Sequence, residues 1–165
     1  MVSKILITGG ARSGKSRLAQ TIAEGLGTER VYLATAEVRD EEMARRVRRH
    51  QADRGSGWST LEVPIDIAGE LDRDEVVLVD CLTFWLTNVL LAELDAEAER
   101  DRLVGALRCA RGGIVLVTNE VGSGIVPVNE LARRFRDEAG WLAQAVAEVC
   151  DEVHLCAAGL PLRLK

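Results

Sequence analysis

The chain has 165 residues, 47% of them hydrophobic, enough to bury a sizeable core as one domain (1–165) without metals or disulfides. Its net charge of −5 argues against nucleic acid as the main partner, because neutralising phosphates on that scale takes a basic face. No apolar run approaches the length of about 18 residues that a membrane span requires, and Cys81, Cys109, Cys150 and Cys156 form no C-x-x-C pair, which suggests reduced thiols in a cytoplasmic protein.

Lys4–Thr8 is a short β-branched run that leads into a glycine-rich stretch. In KSRLAQTIAEGL, which follows, Leu18, Ile22 and Leu26 recur every four residues, so the pattern predicts strand, loop and helix. RVYLATA (30–36) reads as a second strand. It opens into a highly charged stretch, 39–54, whose aliphatic anchors Met43 and Val47 are spaced for a thinly amphipathic helix. RGSG breaks that helix, and WSTLEVP (58–64) is a brief strand.

EVVLVDC (75–81) is a continuous apolar run closing on an acid, as in a strand covered on both faces. Residues 82–111 carry two helical patterns, one apolar and one charged, stopped at Gly112 and Gly113. GIVLVTNE (113–120) is another buried strand, and VGSGIVPVN (121–129) is a loop. A long helix over 130–149 follows, and DEVHLCAAGLPLRLK closes the chain as a strand, a turn at Gly159 and a last strand. Strands alternating with helices call for a mostly parallel sheet between helical layers, an α/β fold of three layers.

Gly9, Gly10, Ala11, Arg12, Ser13, Gly14, Lys15 and Ser16 complete the pattern G-x-x-x-x-G-K-S between a strand and a helix start. Small residues let successive backbone amides wrap a phosphate chain, and the helix N-terminus adds partial positive charge. Lys15 reaches the outer phosphates, and the Ser16 hydroxyl holds Mg²⁺. These are the marks of a P-loop nucleotide-binding domain for a nucleoside triphosphate. Such a loop needs a second acid near the metal, and Asp80, ending VVLVD, is the candidate. The alternative is an acid that caps the helix beginning near Leu82.

The chain has two histidines. His154 sits inside a strand pattern and is assigned no role. On a helix, His50 has Arg46 and Arg54 one turn to either side. Nearby cations oppose protonation of the imidazole, which leaves a nitrogen lone pair available, and the same guanidiniums can hold a phosphate under attack. The bland alternative is a solvated charged helix that carries one histidine. Asn119 and Glu120 stand at a strand end where ligands of α/β sheets collect, which suits a ligand or interface role as well as a tight turn.

ITGGARSGKS, the segment ATAEVRDEEMARRVRRHQADR running into GWSTLE, and LVTNEVGSGIVPVNELARRFRDEAG together resemble the bifunctional adenosylcobinamide kinase/adenosylcobinamide-phosphate guanylyltransferases of cobalamin biosynthesis. The resemblance extends over nearly the whole chain. It implies a RecA-like fold, a homotrimer, and two reactions. In the first, the terminal phosphate of ATP or GTP passes to the hydroxyl of the aminopropanol arm of adenosylcobinamide. In the second, a histidine takes GMP from GTP and passes it to adenosylcobinamide phosphate.

By position, the resemblance puts the GMP-accepting histidine on His50 and the metal acid on Asp80. It puts guanine-nucleotide contacts on Thr35, Gln51, Ala52, Asp53, Arg54 and Glu62. Some relatives carry a second histidine immediately before the nucleophile, where this chain has Arg49. Two rival readings remain at this level: a plain small-molecule kinase in which His50 is a spectator, and a RecA-like nucleotide-dependent interaction protein.

Overall fold

The structure, a computed structural model, describes residues 3–37 and 55–165. Among these residues seven strands form one sheet in the order β3-β2-β4-β5-β1-β6-β7. The strands are β1 (Lys4–Gly9), β2 (Arg30–Ala34), β3 (Trp58–Glu62), β4 (Val76–Asp80), β5 (Ile114–Asn119), β6 (Glu152–Ala157) and β7 (Leu160–Arg163). β1 to β6 are parallel, and only β7, the hairpin partner of β6, is antiparallel. The expected alternation is therefore present, and each strand lies within a residue or two of its predicted position. The charged stretch read as a helix over 39–54 lies outside the described residues.

The sheet's two faces are covered unequally. On one, α1 (Lys15–Leu26) lays Ala19 and Ala23 against Ile5, Ile7, Leu78, Val115 and Val117. On the other, α2 (Leu82–Leu91), α3 (Ala96–Cys109) and α4 (Glu130–Val149) bury Leu86, Leu103, Leu107, Leu142 and Val146 over Leu6, Leu33, Val77, Val79 and Leu116. Alternate residues of a strand face opposite layers, so Val76–Val79 are all buried, as a doubly covered parallel strand requires.

Local sequence explains where the helices begin and end. Asp95 accepts from the amides of Glu97 and Ala98 at the start of α3, and Asn129 accepts from Ala132 at the start of α4. At the other end of α4 the Lys165 ammonium donates to the carbonyls of Ala147, Glu148 and Cys150 at 3.1, 3.0 and 2.6 Å. A cation there complements the helix dipole as well as its orphan carbonyls. One element has no counterpart in the sequence-based assignment: a 3-10 turn over Ala68–Glu70, flanked by the fully buried Ile67 and Leu71. Cys81, Cys150 and Cys156 are buried, Cys109 is exposed, and all are free thiols.

Candidate active site

The parallel strands bring their C-terminal ends to one edge. Gly9 is registered against Asn119 and Cys156, and Ala34 against Glu62 and Asp80. β1 and β4 are not neighbours. β5 runs between them and is hydrogen-bonded to both, so the strand feeding the phosphate loop and the strand ending in Asp80 stand about 10 Å apart.

The loop is built tightly. Gly14, at the N-cap of α1, has φ +94°, a left-handed conformation that strongly favours glycine. The first bond of the helix ladder runs from Leu18 N to Gly14 O at 3.0 Å, so the amides of Ser16 and its neighbours lie ahead of helical pairing, where an anion is favoured. Lys15 is 8% exposed, and its ammonium donates to Gly10 O at 3.0 Å, which folds the side chain back over the loop. Arg12 takes a left-handed φ of 56° and is exposed. Ser13 is buried, and its hydroxyl has no hydrogen-bond partner among the described residues.

Asp80 ends β4 on the α1 face, because it shares parity with Leu78 of the α1-side cluster. Tyr32, registered against Leu78, reaches diagonally across the strand pair, and its hydroxyl donates to Asp80 Oδ2 at 3.1 Å. The capping alternative for Asp80 is not what the structure contains: the N-cap of α2 is Cys81, and no side chain caps it. Tyr32 is in turn edge-on to Trp58, and the Arg30 guanidinium lies 5.2 Å from the centre of that indole. Spacing along one strand carries no signal of this array, which forms across three.

Thr35 is fully buried. Its hydroxyl donates to Cys81 O at 2.7 Å and accepts from Cys81 N at 2.8 Å, while Asn88 Nδ2 donates to the Thr35 carbonyl at 2.8 Å. The side chain thus locks β2 to the β4–α2 junction immediately after Asp80, whose peptide to Cys81 is cis. The Cys81 thiol, 2.9 Å from Thr83 Oγ1, is pushed up to about 11 by burial and by the charge of Asp80. Asn119 Nδ2 donates to Thr83 Oγ1 at 2.7 Å, tying the end of β5 to the same junction. Glu120 N donates to Gly9 O at 3.0 Å, and its carboxylate accepts from Gly122 N at 2.7 Å, which shapes the turn that follows.

Glu62 ends β3 and is exposed, at the far side of the same edge. The structure therefore gathers Gly9–Ser16, Thr35, Glu62 and Asp80 at one end of the sheet. His50, Gln51, Ala52, Asp53 and Arg54 lie outside the described residues. His154 pairs with Glu152 Oε2 at 2.8 Å within β6.

The Ser16 hydroxyl and the Asp80 carboxylate are hard oxygen donors, the kind that hold Mg²⁺ together with substrate phosphates. Among the described residues there is no cluster of three or more His, Cys, Asp or Glu that would make an all-protein cage for a metal. Among those residues, too, no helix is long and apolar enough to cross a membrane.

Comparison with known proteins agrees with this architecture. The RadB recombinase structure superposes with a TM-score of 0.54 over 93% of this chain and 73% of its own, at 16% identity. A type III secretion ATPase of pathogenic bacteria gives 0.55 over 93% of this chain and 50% of its own, at 15% identity. Both likenesses concern the RecA-like P-loop fold alone. In sequence, the chain is 49% identical to the bifunctional adenosylcobalamin biosynthesis protein CobP of Pseudomonas aeruginosa, covering 97% of this chain and 96% of that one. It is 41% identical to the corresponding CobU protein of Salmonella typhimurium, covering 98% and 99%. The family model described as cobinamide kinase / cobinamide phosphate guanyltransferase matches residues 5–164, and the chain belongs to that family.

Proposed function

We propose that this protein phosphorylates adenosylcobinamide with ATP or GTP and then transfers GMP from GTP to the product, by way of a GMP–histidine intermediate on His50. The observation that carries the reading is the placement of a complete phosphate loop and Asp80 at one sheet edge, in a chain of this family.

Both reactions displace a phosphate oxygen, but at different phosphorus atoms. In the kinase step the substrate hydroxyl attacks the γ-phosphorus and the nucleoside diphosphate leaves. In the second step an imidazole nitrogen of His50 attacks the α-phosphorus of GTP; a P–N bond forms as the bridge to the β-phosphate breaks and pyrophosphate departs. A phosphate oxygen of adenosylcobinamide phosphate then attacks the same phosphorus, the P–N bond breaks, and the imidazole is regenerated. Covalent catalysis splits one difficult displacement into two easier ones.

One loop serves both steps because its amides and Lys15 neutralise and orient the triphosphate wherever charge accumulates. Ser16 and Asp80 would hold Mg²⁺, which supplies Lewis-acid stabilisation of the phosphate oxygens when bound. Arg46 and Arg54 flank His50 in sequence, and Gln51, Ala52, Asp53, Arg54, Thr35 and Glu62 serve the guanine nucleotide. Exposed apolar side chains such as Ile125 and Val128, at 97% and 98%, support self-association as a homo-oligomer.

The test is incubation with α-labelled GTP and Mg²⁺, denaturation, and a search for acid-labile label on the protein. The wild type is expected to retain label and His50→Ala to lose it, with adenosylcobinamide phosphorylation continuing in the variant. Full labelling of His50→Ala would exclude the assignment.

A further inference from the structure

The phosphate loop does not stand alone. It rests on the hairpin that joins β6 to β7, more than 140 residues later in the chain, and both contacts converge on one atom. The Ser13 carbonyl oxygen accepts from Gly159 N at 2.8 Å and from the Cys156 thiol at 3.1 Å. Cys156 is 1% exposed. The fit is close: a methyl group on Gly14 would lie 3.1 Å from Gly159 Cα and 3.7 Å from Cys156 Sγ.

The chemistry of the peptide unit gives these bonds a consequence. Ser13 C=O and Gly14 N–H belong to the same planar trans amide, so they point in opposite directions. Two donors that hold the carbonyl toward the hairpin aim the Gly14 amide away from it. Rotation of this peptide is otherwise easy, because glycine tolerates both signs of φ. The Ser13 side chain does not fix it, since its buried hydroxyl has no hydrogen-bond partner among the described residues. The thiol is suited to the position: it is a donor small enough to sit beneath the loop within the apolar cluster under α1.

From this geometry we infer that Cys156, with the Gly159 amide, is a positioning residue for the nucleotide: it holds the Ser13–Gly14 peptide so that Gly14 N–H faces the bound phosphates. The inference rests on the proposed function, and specifically on the loop as the triphosphate site. It implies that the hairpin sets nucleotide affinity in both reactions without touching substrate. Losing the thiol donor leaves the Gly159 bond in place, so the effect is graded rather than complete.

The test compares Cys156→Ala, Cys156→Val and Cys156→Ser with the wild type, measuring Kd for Mg²⁺–GTP and the KM and kcat of adenosylcobinamide phosphorylation. Ala and Val remove the donor with and without a change of volume, and Ser replaces the donor. Ala and Val are expected to weaken nucleotide binding about 3- to 10-fold, the scale of one hydrogen bond. In both, kcat at saturating nucleotide and the KM for adenosylcobinamide stay near wild type, and Ser recovers affinity to within about 2-fold on the same scale. Cys150→Ala, at the buried thiol of the residue that ends α4, is the control for general loss of packing and should lower Tm without changing Kd. Wild-type affinity in both Ala and Val, failure of Ser to recover it, or an equal loss in Cys150→Ala would each overturn the inference. Absence of GTP binding by the wild type would instead overturn the functional reading on which it rests.

Discussion

The hydroxyl of Tyr32 donates to Asp80 Oδ2 at 3.1 Å, from the adjacent strand and on the face of the sheet that carries α1. A carboxylate that must meet a metal from a fixed direction gains from such a bond, because it narrows the rotamers available before the metal arrives. Tyr32→Phe is expected to raise the Mg²⁺ concentration for half-maximal kinase activity about 3- to 10-fold, one hydrogen bond's worth. Activity titrations against Mg²⁺ at saturating nucleotide test this; an unchanged midpoint would leave Tyr32 with a packing role only.

In the proposed function Lys15 supplies the cation next to the triphosphate in both reactions. Lys15→Ala is expected to lower both phosphoryl and guanylyl transfer by about two to three orders of magnitude, the usual cost of removing one preorganised charge stabiliser. Separate assays of the two activities decide it. Retention of either at the wild-type rate would show that the loop does not serve that reaction.

Gly9 is where the loop leaves β1, and a methyl group there would sit 2.5 Å from the Cys156 carbonyl oxygen and 2.7 Å from Ser13 Oγ. The first of these is backbone of the neighbouring strand and cannot swing aside. Gly9→Ala is expected to destabilise the fold by about 2 kcal/mol or more, as overpacking does, and to weaken nucleotide binding. Denaturant melts together with GTP titration measure both effects.

Thr35 satisfies both backbone groups of Cys81 with one hydroxyl. Thr35→Val keeps the shape but leaves the buried Cys81 N–H without that partner, while the Cys81 carbonyl still accepts from Trp85 N, at an expected cost of about 1–3 kcal/mol. Thr35→Ser should recover most of it. The midpoint of urea unfolding should fall in Thr35→Val with little change in slope; an unaltered midpoint would show that the junction finds other partners.

Burial pushes the Cys81 thiol up to about 11 and the Cys150 thiol up to about 12, from an ordinary value of 9.0. Folding therefore keeps protons on sulfur that the unfolded chain releases. The stability this represents is whole below pH 9 and is lost as pH rises from there through about 11 and 12. Each pH unit in that window costs about 1.4 kcal/mol per thiol. Thermal melts from pH 8 to 11 should fall more steeply for the wild type than for Cys150→Ala, and parallel curves would contradict the assignment.

Much of the architecture was legible in the sequence because its signals are local. VVLVD is apolar at every position before the acid, which only a strand covered on both faces tolerates, and Val76–Val79 are buried accordingly. The extent of α4 follows from its apolar stripe, in which Ala139, Leu142 and Val146 recur at three- and four-residue spacing. The loop Gly9–Ser16 is recognisable from spacing alone because its function depends on the backbone of consecutive residues. Tyr32 and Cys156 had no such signal. Each acts on a residue far along the chain, Asp80 or Ser13, and neither type is diagnostic by itself.

The sequence by itself determined that this chain carries a P-loop on a strand–loop–helix unit and that a parallel sheet bears it, since glycine spacing and hydrophobic period are properties of neighbouring residues. Only the tertiary structure decided that β5 stands between the loop and Asp80, that Tyr32 steers the acid, and that a C-terminal hairpin orients an amide near the N-terminus. Those relations come from strand order and register, which depend on how the whole core packs rather than on any stretch of it.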